Sequence, residues 1–89
     1  MWQLRPGQNL RHRQFDDEFV LFNDLSGDTH LLGGSAMQLL GELQAGPRGS
    51  GELLAALAGA LGCARDAAFD LEAGAVLAQL ATLALIQAA

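Results

Sequence analysis

Ser26, Asp28 and His30 fall within five residues of one another, and a serine, a carboxylate and an imidazole are the parts of a nucleophilic relay. Such a relay also needs donors for a developing oxyanion and a cleft that holds the substrate. No nucleophile elbow surrounds Ser26, and so short a chain offers no second lobe to close over it. Catalysis is not expected. His12 and His30, with Cys63 or the Asp16-Asp17-Glu18 run, supply the potential metal ligands. No C-x-x-C or H-x-x-x-H spacing links them, and one cysteine is too few for a structural zinc site, so neither a metal nor a cofactor is expected. Gly33-Gly34 and Gly46-Pro47-Arg48-Gly49-Ser50-Gly51 are as glycine-rich as phosphate loops. Neither fits G-x-x-x-x-G-K-[ST], the chain has no lysine, and both read as linker and cap glycines. Arg11, His12 and Arg13 form the one basic cluster. It sits on an expected strand, and no expected helix carries a basic face with which to read a major groove. A net charge of −5 also repels polyphosphate, so nucleic acid is not an expected partner.

These residues must be placed by a small fold. Eighty-nine residues, 51% of them apolar, are enough for one domain over 1–89 that buries roughly 60–65% of its unfolded surface. Aromatics cluster in the first half while Leu and Ala dominate the second, which is an α+β order rather than alternating βαβ. Cys63 has no internal partner and is no evidence for an oxidising compartment. Met1 to Pro6 lacks the apolar core of a signal peptide. No apolar run reaches the ~18–20 residues that span a bilayer. The nearest approach, Ala73 to Ala89, is interrupted by Gln79, Thr82 and Gln87. A soluble cytoplasmic protein without a membrane partner is expected.

The strands come first. Trp2 to Leu4 is either a first strand or an N-terminal arm, ended by Pro6-Gly7. Residues 10–15 read as a half-exposed strand, and 19–23, holding Phe19-Val20-Leu21-Phe22, as the most apolar one. Ser26-Gly27-Asp28 is turn chemistry, and Thr29 to Leu32 a short last strand. Ser35 with Gln38 reads as a capping box opening a helix over 36–44, whose apolar face is Ala36, Leu39, Leu40 and Leu43. Ser50 is the expected cap of a second helix over 51–61, with Leu53, Leu54, Leu57 and Leu61 on one face and Gly62 as a left-handed stop. A third helix over 66–83 carries Phe69, Ala73, Val76, Leu77, Leu80 and Leu83, and Leu85-Ile86 follows as a short extended tail. The expected architecture is a small three-stranded antiparallel sheet followed by a three-helix bundle, like a winged helix-turn-helix with its sheet placed first. Leu39, Leu40, Leu43, Leu57 and Leu80 are its expected core.

In such a meander the last strand keeps one unpaired edge. An edge of this kind can accept an extended peptide as a further strand, with backbone pairing for affinity and side-chain pockets for selectivity. It can equally be blunted by its shortness and polar residues. Physical reasoning from the residues leaves both readings standing, beside a third in which a winged-helix scaffold assembles with another protein through its leucine-rich helices.

Phe19 to Leu32, with its Ser26-Gly27-Asp28-Thr29-His30-Leu31-Leu32 segment, followed by an Ala-x-x-Leu-Leu-x-x-Leu helix, resembles the PqqD family. It is most similar to members from HPr-rel-A systems, whose gene neighbourhoods include a kinase related to HPr kinase. The likeness is specific over about residues 19–43 and elsewhere follows the order of elements. It implies a non-catalytic peptide chaperone that binds the leader of a precursor peptide and delivers it to a modifying enzyme or kinase-like partner. It also implies that the leader adds to the third strand and touches the third helix. Carried over by position, the peptide-binding residues are Thr29, His30, Leu31 and Leu32 with Val76, Leu77 and Leu80. The alanine-rich third helix implies shallow pockets. An unpaired edge further admits self-pairing into a homodimer.

Overall fold

The computed structural model describes residues 1–89. It runs β1 (Trp2–Leu4), β2 (Leu10–Phe15), β3 (Glu18–Asn23), β4 (Thr29–Gly33), α1 (Gly34–Leu43), α2 (Ser50–Leu61), α3 (Ala67–Thr82) and β5 (Ile86–Ala88). The main sheet is antiparallel in the order β2-β3-β4, as the α+β reading requires. The aromatic and β-branched run of β3 takes the centre, where both edges of its backbone are paired. Asp16 and Asp17 turn β2 into β3. Asp16 adopts φ +52, a left-handed conformation that aspartate tolerates better than most residues.

Asn23 organises the next reversal. Its N–H donates to the Asp28 carbonyl at 2.9 Å, and its side-chain oxygen accepts from the Leu25 N–H at 2.9 Å. Its side-chain nitrogen donates to Gln8 Oε1 at 3.0 Å, and Gln8 in turn donates to the Leu85 carbonyl at 2.8 Å. A polar group buried this deeply is tolerable because each of its hydrogen-bonding atoms is paired. Gly27, at φ +76, supplies the left-handed residue that the turn needs.

The leucine periodicity becomes the core. Leu21 and Leu32 from the sheet meet Leu39, Leu40 and Leu43 of α1, Leu53 and Leu57 of α2, and Leu77 and Leu80 of α3. All five expected core leucines are buried. Leu61 departs from expectation. It lies at the last position of α2 and is 48% exposed, because Gly62 (φ +68) turns the chain away before another element can cover it.

Two capping expectations are corrected. α1 begins at Gly34 with Gly33 as its cap, so Ser35 is already inside the first turn and Gln38 donates to Glu42 at 3.2 Å instead of reaching back. β4 runs into α1 without a loop, which moves the helix start upstream of the serine. Ser50 likewise lies within α2, with Gly49 at the cap position, and its hydroxyl accepts the Trp2 indole N–H at 2.9 Å. α3 has a side-chain cap, with Asp66 accepting from the Phe69 N–H at 2.8 Å.

The chain ends add a second sheet. β1 pairs antiparallel with β5, Trp2 opposite Ala88 and Leu4 opposite Ile86. Trp2 also exchanges backbone hydrogen bonds with Arg48, at 2.7 and 2.9 Å. The tail over Leu85-Ile86 is thus both extended and buried, and Trp2–Leu4 is a strand rather than a loose arm. Ala84 turns α3 into this tail at φ +59, while the Leu85 N–H returns to the Leu80 carbonyl at 3.0 Å.

Candidate functional site

β4 has a hydrogen-bonded neighbour on one side only. Which of its backbone groups are free follows from the register. The Asn23 N–H bonds to Asp28, so Asn23 faces β4, and a period of two makes Leu21 and Phe19 face it as well. Their partners His30 and Leu32 therefore turn their backbone groups inward. Thr29 and Leu31 direct both N–H and C=O away from the sheet, and Gly33 directs its N–H there before its carbonyl enters α1. Five backbone groups thus form an open row.

Side chains alternate across the same strand. Leu32 is buried and His30 half-buried on the helix side, while Thr29 and Leu31 stand on the outer face opposite Phe22 and Val20. Leu31 is 63% exposed. Between this edge and α3 lies a cleft of about 280 Å³, bordered by Leu31, Gly33, Ser35 and Ala36 on one side and by Val76 and Gln79 on the other. A second hollow of about 210 Å³ continues from it toward the α2–α3 junction, sharing Ser35 and Val76 and adding Leu61, Cys63, Phe69 and Glu72. The two form one groove beside an unpaired strand. A larger cleft of about 320 Å³ lies between the β2–β3 hairpin and α1, lined by residues including His12, Phe19 and Met37. It borders neither β4 nor α3.

Of the helix residues expected at the site, only Val76 lines this groove. Leu77 and Leu80 point into the core and hold α3 in place from beneath. The groove instead meets the adjacent flank of α3, where Phe69, Glu72, Val76 and Gln79 recur at i, i+3, i+7 and i+10. That stripe is a helical face of mixed polarity, so a search for apolar periodicity passes over it. Ser35, read as a cap, also belongs to the groove.

The other candidate residues remain apart. Ser26 Oγ accepts from the Asp28 N–H at 3.3 Å, and no hydrogen bond joins either side chain to His30. No three His, Cys, Asp or Glu side chains converge as a metal site would need. Arg11 lies 3.5 Å from Asp24 across the exposed end of the sheet.

The fold that frames this edge and groove occurs in a protein already solved. The fold is shared with TbiB1. Its structure, described as TbiB1 in complex with the TbiA(beta) leader peptide, aligns with a TM-score of 0.68 at 19% identity, over 98% of this chain and 96% of that one. No family model and no curated protein matches the chain. At this identity the likeness establishes the fold, and TbiB1 aligns over nearly the full length of both chains. No helix is long and apolar enough to cross a membrane.

Proposed function

We propose that this protein binds the leader of a precursor peptide as an additional strand on β4 and presents it to a modifying enzyme, without catalysis of its own. The observation that carries the reading is the open β4 edge beside the α3 groove, in a fold shared with a protein solved with a leader peptide. The energetics favour a combined site. Five backbone hydrogen bonds at about 0.5–1.5 kcal/mol each give roughly 2.5–7.5 kcal/mol. Association itself costs at least about 4 kcal/mol, and a micromolar complex needs a net of about 8. Strand pairing alone falls short. Side chains entering the groove must supply the remainder and with it the selectivity.

The alternative, assembly through leucine-rich helix faces, has less surface to draw on, because among the leucines of the three helices only Leu61 and Leu71 are exposed. The partner that receives the peptide is a modifying enzyme or kinase-like protein, and the complex works in the cytoplasm. A homodimer formed through β4 would occupy the same backbone groups, so self-pairing and leader binding compete.

Titrating isotope-labelled protein with the leader of a candidate precursor, while following backbone amide shifts, tests the reading. Shifts should concentrate on residues 29–33 and on the groove face of α3. Perturbation confined to Arg11 to Arg13, or to α1 and α2, would place the site elsewhere.

A further inference from the structure

The groove carries a charge that no residue of the chain answers. Ten acidic residues face five arginines, and four of the acids are already engaged. Glu42 holds Arg48 at 2.9 Å, Asp70 holds Arg65 at 2.9 Å, Asp24 lies near Arg11, and Asp66 caps α3. Glu72 has no cationic partner, yet it borders the hollow at the α2–α3 junction, beside the apolar surfaces of Leu61, Phe69 and Val76. Asp28, also without an ion pair, stands just before the first residue of the open strand. No arginine lines either part of the groove. A carboxylate at the rim of an apolar hollow favours an occupant that supplies both a hydrocarbon surface and a positive charge.

We infer that the site selects cationic peptides: a segment that pairs with β4, places one apolar side chain in the α2–α3 hollow, and sets a lysine or arginine against Glu72. The inference rests on the strand-addition reading above and adds the chemistry of the cargo. Its dimensions follow from the helix. Phe69 to Gln79 spans about 15 Å along α3, at 1.5 Å per residue. About five residues of extended chain cover that length. The apolar and basic residues of the peptide therefore fall within one window of about five positions. The chain's overall charge of −5 attracts the same peptides over longer range, a contribution that salt removes first.

Affinity selection of a random twelve-residue display library on the intact protein is the experiment, repeated with Glu72→Lys and with Glu52→Gln, an acid of α2 outside the groove. The wild type should enrich lysine or arginine at a fixed distance from an apolar residue. Glu72→Lys should shift that position to acidic residues, and Glu52→Gln should leave the selection unchanged. For a selected peptide, Glu72→Gln should weaken binding about two- to fivefold, the range of a partly exposed ion pair. That loss should vanish when the peptide's basic residue is changed to glutamine. Selected peptides that shift the amides of residues 29–33 but show no basic preference, or none that depends on Glu72, would overturn this inference and leave strand addition standing. Peptides that never perturb β4, or no enrichment at all, would overturn both.

Discussion

Leu31 separates pairing from packing at a single residue. Its side chain is mostly exposed and its N–H points out of the sheet, so a proline there removes an outward donor and no bond to β3. Proline is tolerated on edge strands for this reason. Leu31→Pro is expected to leave the circular dichroism spectrum and the melting curve nearly unchanged while weakening leader binding by several-fold to tenfold, as measured by fluorescence titration. His30→Ala should have a smaller effect on binding, because the His30 backbone is already engaged with β3. Asn23 makes the opposite case. Its four hydrogen bonds tie the turn to Gln8 and through it to Leu85, yet in sequence Asn23 reads only as the polar last residue of the strand over 19–23. Burial was its deciding property, and nothing local encodes that.

Among the elements, legibility followed the range of the interactions that define each one. The three helices were readable because apolar residues three and four apart report burial within one turn of themselves, and β3 because its centre, Phe19 to Phe22, is a continuous apolar run. The pairing of β1 with β5 was not, since it joins three-residue segments from opposite ends of the chain. The free edge of β4 was legible as the last strand of a meander. The groove face of α3 was not, because the side of a helix that a neighbour leaves uncovered is set by tertiary packing. Ala84 offers an element-level test. It holds a left-handed conformation that costs an alanine roughly 1–2 kcal/mol and a glycine little. Ala84→Gly should therefore stabilise the domain by about 0.5–1 kcal/mol in urea denaturation, a gain net of the greater entropy that glycine loses on folding.

The whole molecule has a Cα radius of gyration of 12.5 Å, close to the roughly 12 Å expected of a compact chain this long. Its one leucine core joins every layer, so a cavity anywhere in it is felt throughout. Leu40→Ala should cost roughly 2–5 kcal/mol and lower the melting temperature by about 10 °C or more, with sheet and helix signals lost together. Separate transitions for the sheet and the helices would show two cores instead of one. The β1–β5 pair has a topological consequence as well. The Ala89 N–H donates to the Met1 carbonyl at 2.9 Å, so residues 1 and 89 already touch. A peptide linkage of a few residues could close the chain into a ring without moving either strand, and new ends could then be opened at an exposed turn such as Asp16-Asp17. Joined ends of this kind also let the whole unit be spliced into a surface loop of another protein, entering and leaving at one point while the β4 edge keeps its connection to α1.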